Sequence, residues 1–88
     1  MYLFLIKQNV NNDYDTYDSA VVVATSEEEA RTIHPAGHRW SSETDSWNTK
    51  WRNQNTWANP ENVEAQLIGT ANSDAKAGDV ILASFNAG

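Results

Sequence analysis

The sequence contains no cysteine and only two prolines and four glycines in 88 residues. Without cysteine the chain cannot form a disulfide or a cysteine-ligated zinc site, so we expect its fold to depend on a hydrophobic core. The glycines lie far apart, at positions 37, 69, 78 and 88, which excludes a glycine-rich phosphate loop. The apolar runs are too short to span a bilayer, and the N-terminus lacks a signal-peptide pattern. We therefore expect one cytoplasmic domain over residues 1–88.

Basic residues are also scarce, because six Lys and Arg stand against twelve Asp and Glu and give a net charge of −6. This charge opposes approach to nucleic-acid phosphates and to anionic lipid, so direct nucleic-acid binding and membrane attachment are disfavoured. A basic or neutral partner is favoured instead. The charge is uneven: −4 over residues 1–33, +1 over 34–60 and −3 over 61–88. The objection to nucleic acid is therefore weakest in the middle segment.

The hydrophobic pattern predicts four strands and one helix. Apolar or alternating runs typical of strands lie at residues 1–8, 17–25, 63–68 and 80–85. Ser26 followed by three glutamates forms a capping-box pattern, which predicts a helix from Glu27 to about His34. The order β-β-α-loop-β-β predicts an α+β fold, with one helix packed on a small four-stranded, mainly antiparallel sheet.

The segment 35–60 has no Leu, Ile, Val or Phe and contains all four tryptophans. We expect a Trp-rich loop or insertion here, with at most a short helix at residues 45–53. Indole and guanidinium groups stack on bases and are enriched where proteins bind one another. The candidate partner- or ligand-binding residues are therefore Trp40, Trp47, Trp51, Trp57, Arg39 and Arg52. In the alternative interpretation, two of the four indoles cover the sheet as part of the core.

A second candidate surface is acidic, since residues 13–29 include six carboxylates and no Lys or Arg. Its candidate residues are Asp13, Asp15, Asp18, Glu27 and Glu28. The simpler interpretation is a polar hairpin loop followed by a capped helix. The more specific interpretation is a surface that competes with phosphates for the basic groove of a nucleic-acid-handling protein.

Nothing in the sequence has the pattern of an active site or a metal centre. His34 and His38 are four residues apart, but a proline and a glycine between them break the helix that would align them on a metal. The acidic loop departs from a calcium loop at Thr16, where glycine is needed, and at Val22, where glutamate is needed. We therefore predict a non-enzymatic protein with no catalytic residue, no metal and no cofactor.

Several segments can be compared with known proteins as a set: YDTYDSAVV at residues 14–22, EEAR at 28–31 with HP at 34–35, LIGTA at 67–71 and VILASFNAG at 80–88. Together they resemble a family of small uncharacterised proteins carried by bacteriophages and prophages. The family supplies no catalytic residues to carry over. The resemblance implies a phage accessory protein that binds and inhibits a host protein, such as a component of a CRISPR or restriction system, in the host cytoplasm.

Two other classes of function stay open at this stage. A small-ligand or nucleotide-binding protein, acting as a sponge for a signal, would use the Trp and Arg side chains of the loop as a stacking pocket. A structural or virion-associated protein would instead assemble with copies of itself. The C-terminal residues 85–88 could be an edge strand, a dimer contact or a free tail, so a homodimer is one of the options.

Overall fold

A computed structural model describes residues 1–12, 15–47 and 56–86 of the chain. The elements in chain order are β1 (Tyr2–Lys7), β2 (Thr16–Ala24), α1 (Glu27–Arg31), β3 (Trp40–Ser41), β4 (Ser46–Trp47), a short 3₁₀ helix (Pro60–Asn62), β5 (Glu64–Thr70) and β6 (Val80–Asn86). Within the described residues, no helix has the length and apolar character needed to cross a membrane.

The main sheet has four strands in the order β5-β1-β2-β6, and every neighbouring pair is antiparallel. The two strands that lie first in sequence therefore form the centre, and the two last strands form the edges. In one row across the sheet, Leu5 lies opposite Val21 and Val21 lies opposite Leu82. The predicted α+β fold with a four-stranded antiparallel sheet and one short helix is confirmed.

One face of this sheet carries the hydrophobic core. The alternating residues of the central strands that point to this face pack with side chains from α1 and from the segments that follow it. The buried members are Phe4, Ile6, Ala20, Val22, Ala24, Ala30, Ile33, Trp57, Ala58 and Val63. The helix layer is only five residues long, so the segments around Ile33 and Trp57 complete the cover of the sheet.

The helix begins where the capping pattern predicts but ends earlier than expected. Ser26 Oγ accepts the Glu29 amide at 3.1 Å, and the Glu29 carboxylate reaches back to the Thr25 amide at 2.8 Å. The predicted end near His34 is wrong, because α1 stops at Arg31. Beyond the helix, Ile33 forms an isolated antiparallel β-bridge with Arg39. This pairing with a residue outside the helix requires an extended backbone at Ile33.

The Trp-rich segment contains a small hairpin in its described part. Trp40 lies opposite Trp47 and Ser41 opposite Ser46 in the two-residue strands β3 and β4. The sequence allowed at most a short helix at 45–53, and Ser46 and Trp47 form a strand instead, while residues 48–53 lie outside the described part of the chain. Asp45 takes a left-handed backbone conformation (φ 54°) in the turn, which Asp tolerates better than most residues do.

The helix cap provides a stability test. We expect Ser26→Ala to lower the free energy of unfolding by about 1 kcal/mol, because the Glu29 amide loses its acceptor at the start of α1. Urea denaturation at neutral pH measures this change. The control is Ser73→Ala, since the exposed Ser73 hydroxyl bonds only to the neighbouring Asp74 carboxylate. Equal effects of the two substitutions would contradict the assigned cap.

Candidate interaction surface

The structure separates the tryptophans into buried and partly exposed residues. Trp57 is 4% exposed and lies in the core, so its indole is not available at the surface. Trp40 and Trp47 are half-buried and pack edge to face across the β3–β4 hairpin, with ring centroids 5.2 Å apart. Trp51 lies outside the described residues. The interpretation of the indoles as part of the core thus describes Trp57 and in part Trp47, which packs against the core cluster, while Trp40 remains a candidate for surface contacts.

The aromatic rings are organised around His34, which is fully buried. Its imidazole contacts the rings of Tyr17 (centroids 5.8 Å apart), Trp47 (5.4 Å) and Trp57 (6.4 Å). The hairpin is thereby connected to the sheet through one side chain. His34 was considered in the sequence only as half of a two-histidine motif. Nothing in the sequence around His34 indicates that its imidazole lies at the centre of an aromatic cluster.

The hydrogen bonds of His34 define its tautomer. The Ala36 amide donates to Nδ1 at 2.9 Å, so Nδ1 is an acceptor and carries no proton. Nε2 therefore carries the proton and donates to Thr56 Oγ1 at 3.1 Å. Burial and, to a smaller extent, the nearby His38 together lower the pKa of His34 to about 4. At neutral pH the imidazole is therefore uncharged and acts as a structural connection. Within the described ranges, no three acidic or His side chains converge into a metal site.

Arg39 is engaged by the fold. Its guanidinium lies 3.6 Å from the Glu29 carboxylate and passes over Gly78, where a Cβ would be 2.6 Å from Nη1. Gly78 also has a φ of 99°, a conformation that glycine adopts easily. The ion pair and the close approach hold Arg39 against the end of β2 rather than beside Trp40. Arg52, the other candidate cation, lies outside the described residues.

A depression of about 260 Å³ lies beside Trp40 and is lined by Asp45, Asn59, Pro60 and Glu61. Its charged wall residues are carboxylates, which repel a nucleotide phosphate. An indole between carboxylates is better suited to contact with a cationic side chain. The stacking pocket expected for a nucleotide sponge would need a nearby cation, and Arg39 is held elsewhere.

The candidate acidic residues that the structure describes are exposed. Asp15 and Asp18 lie at the start of β2, while Glu27 and Glu28 lie in the first turn of α1. Asp18 accepts a long hydrogen bond from Ser84 of β6 (3.4 Å), which places this carboxylate beside the sheet edge. Glu27 is 4.0 Å from Arg31 one helical turn later. Asp13 lies outside the described residues.

The sheet face opposite the core was not recognised in the sequence as a candidate site. Leu5, Val21 and Leu82 form an apolar row across three strands, and with Ser19 and Ser84 they line a shallow groove of about 100 Å³. We call these five residues the outer face. Leu82 is 68% exposed, the highest value among the large apolar side chains described. The sequence signal for this face is the uninterrupted apolar run in β1 and in β6, a pattern that is equally typical of a strand covered on both faces.

No protein-family model matches this chain, and no curated protein or solved structure matches it either.

The buried neutral His34 makes stability depend on pH. Between a folded pKa of about 4 and an unfolded value near 6.5, the unfolded chain binds a proton that the folded chain excludes. The contribution of the neutral His34 to the free energy of unfolding is therefore fully present above pH 6.5. It falls as the solution is acidified towards pH 4, by up to about 3 kcal/mol.

Urea denaturation at a series of pH values between 7 and 4 tests this dependence. We expect His34→Gln to be less stable at pH 7 but to lose much less stability on acidification, because the titrating group is gone. The control His38→Gln should retain most of the dependence of the original chain, because burial, the larger cause of the low pKa of His34, is unchanged. Parallel pH profiles for the original chain and His34→Gln would show that another group is responsible.

Proposed function

We propose that the chain is a non-enzymatic binding protein whose partner is another protein with an apolar patch and a basic surround. The observation that carries this proposal is the outer face. Among the described residues, none covers Leu82, and Leu5 and Val21 beside it are only half-buried. Single exposed leucines are ordinary in soluble proteins. A contiguous apolar row across three strands is instead typical of a contact surface.

The sheet face is suited to close contact because it is rigid and almost uncharged. Its row of side chains belongs to strands whose backbones are paired on the sheet, so little conformational entropy is lost on binding. The charged side chains nearest to it in the register are Lys7 and Glu64, which form an ion pair at 3.6 Å. A partner would therefore bury apolar area on this side of the face beside charges that are already paired, and the carboxylate of Asp18, which bonds to Ser84, borders its other side.

The acidic residues favour a partner of opposite charge. Asp15 and Asp18 lie at one end of the sheet near β6, and the chain as a whole carries −6. Such a field accelerates the approach of a basic protein and disfavours acidic ones. The combination of an apolar centre with an acidic rim is the arrangement seen where proteins bind one another specifically.

The resemblance to phage and prophage proteins supports a more specific form of the proposal. In this form the chain is a phage accessory protein that acts in the cytoplasm of the host, where it occupies a host protein stoichiometrically. A CRISPR or restriction component is a plausible target, because such proteins have basic grooves for nucleic acid. An acidic protein that binds beside such a groove would exclude its substrate.

Substitution on the outer face tests the binding proposal. We expect Leu82→Thr to weaken partner binding about tenfold or more, since burial of a leucine side chain contributes roughly 1.5–3 kcal/mol. The measurement is quantitative recovery of a stoichiometric host protein on the immobilised chain, followed by titration of that purified partner. The matched control is Leu67→Thr, because Leu67 is 54% exposed but lies opposite Phe4, on the other face of the sheet.

Unchanged affinity of Leu82→Thr, or an equal loss with Leu67→Thr, would contradict the outer face as the contact surface.

The more specific form of the proposal, inhibition of a host defence system, has its own assay. We expect expression of the chain to raise phage plating on cells that carry the target defence system and not on cells that lack it. Leu82→Thr should remove this effect. Equal plating with and without the chain, across hosts with restriction or CRISPR systems, would contradict the inhibitory role.

A further inference from the structure

We infer that the partner binds by adding an antiparallel β-strand to the free edge of β6, with basic residues at the N-terminal end of that strand. The inference rests on the proposed function, because it describes how the same partner is bound. It extends the contact from the outer face to the neighbouring sheet edge and defines the partner segment by its chemistry.

The first step is the open edge. β6 is a terminal strand of the sheet, and its outer side pairs with no other strand among the described residues. The backbone N–H and C=O groups on that side can accept an extended segment. β6 is seven residues long and contains neither proline nor a charged side chain, two of the usual means of blocking such pairing. The register shift opposite Val21 and Val22 places a bulge at Ile81, so the regular part of the edge runs from residue 82 to residue 86.

The opposite edge of the sheet is less suited to the same contact. β5 begins at Glu64, whose carboxylate is paired with Lys7 from the neighbouring strand. An added strand would therefore meet a charged side chain at the start of β5, and the register shift opposite Leu3 and Phe4 places a bulge at Ile68 in the same strand. β6 provides the edge without a charged side chain.

The second step is the side chains that the edge displays. Ile81, Leu82 and Phe85 are 58%, 68% and 44% exposed, so both faces of β6 carry apolar area. Phe85 is held in place by Tyr17, with ring centroids 4.8 Å apart. Because side chains alternate across a strand, an added segment with apolar residues on the face beside Leu82 would extend the outer face by one strand.

The third step is the charge at the two ends of β6. At its C-terminal end, Asp18 bonds to Ser84, and Asp15 precedes Thr16, the residue paired with Asn86. Among the described residues, no Lys or Arg forms an ion pair with either carboxylate. This end is therefore negative. A strand running antiparallel to β6 brings its own N-terminal end here, so basic residues belong at that end.

The N-terminal end of β6 does not have the same charge. Asp79 precedes the strand, but Lys76 is three residues away and Arg39 passes over Gly78 beside it. Arg39 is in turn paired with Glu29, so the charges in this area balance. The difference between the two ends predicts an orientation for the added strand as well as its composition.

The same charges disfavour a second copy of this chain as the occupant of the edge. In an antiparallel pair of two β6 strands, the negative end of one copy would meet the balanced end of the other and gain no positive charge. Each copy also carries −6, and this net charge opposes self-association. A different, basic protein is therefore the occupant that the edge favours.

Synthetic peptides test the inference directly. The probe is a peptide of alternating valine and threonine that matches β6 in length, has blocked termini and carries a lysine pair at its N-terminal end. The composition-matched control carries the lysine pair at its C-terminal end. A third peptide has N-methyl groups on all of its amides, which removes the N–H donors that it needs to pair with a strand. Amide exchange measured by NMR reports which backbone groups of the chain become protected.

We expect the first peptide to protect amides of Val80–Asn86 and to bind about three- to tenfold more tightly than the control, as expected for a few exposed ion pairs. Amides of Glu64–Thr70 should be unaffected. The N-methylated peptide should not bind. Protection at β5, equal affinity of the two lysine peptides or binding of the N-methylated peptide would each overturn the inference.

Variants of the chain separate charge from fold. Asp18→Asn should reduce the preference between the two lysine peptides, whereas Asp74→Asn, an exposed carboxylate in another loop, should leave it unchanged. An unchanged preference in Asp18→Asn would overturn the assigned charge recognition. Sedimentation of the chain alone supplies a further outcome, because a dimer whose β6 amides are protected without peptide would make a second copy the occupant.

The inference can fail while the proposed function stands. If a host partner is lost on Leu82→Thr substitution but its binding leaves the β6 amides exchanging freely, the outer face is the contact and strand addition is wrong. If no host partner is recovered although the peptides protect β6, the edge is competent and the proposed function fails.

Discussion

The pairing of β1 with β2 is the constraint on which the rest of the structure depends. Because side chains alternate across a strand, this register places Phe4 and Ile6 on one side of the sheet with Ala20 and Val22. A shift by one residue would exchange the core for the outer face. The hairpin is joined by a polar loop, in which the Gln8 side chain accepts the amides of Val10 and Asn11. The loop hydrogen bonds therefore stabilise the register that selects the core.

A consequence of this arrangement is that one short helix must cover a four-stranded sheet. α1 contributes a single fully buried residue, Ala30. The remaining area is covered by Ile33, His34 and Trp57, which come from segments without regular structure around the hairpin. Burial of the Trp57 Nε1 group, which has no hydrogen-bond partner among the described residues, costs about 1–3 kcal/mol. The apolar area of the indole outweighs that cost, which explains why a polar, Trp-rich segment serves as the second layer.

The parts of the fold that could be predicted are those that depend on local pattern. Val21, Val22 and Val23 prefer extended backbone whatever surrounds them, and Ser26 caps a helix through an amide only three residues away. The end of α1 could not be predicted, because it depends on the pairing of Ile33 with Arg39. For the site, composition identified the tryptophans but not their roles. Trp57 and Trp40 have the same side chain, and only the tertiary packing places one in the core and the other near the surface.

The apolar outer face is a second feature that local sequence pattern could not predict, and it is the basis of the proposed function. Leu5 and Ile6 are adjacent in β1 and equally apolar, yet Ile6 belongs to the core and Leu5 to the outer face, where it is half-buried beside the exposed Leu82. A sequence needs apolar residues on only one side of a two-layer sheet in order to fold. Leucine and valine on the second side lower solubility without adding to the core. In the proposed function this cost is offset because a partner buries them, and the carboxylates at the edge of that face are the reason for proposing a basic partner over a further copy of the chain.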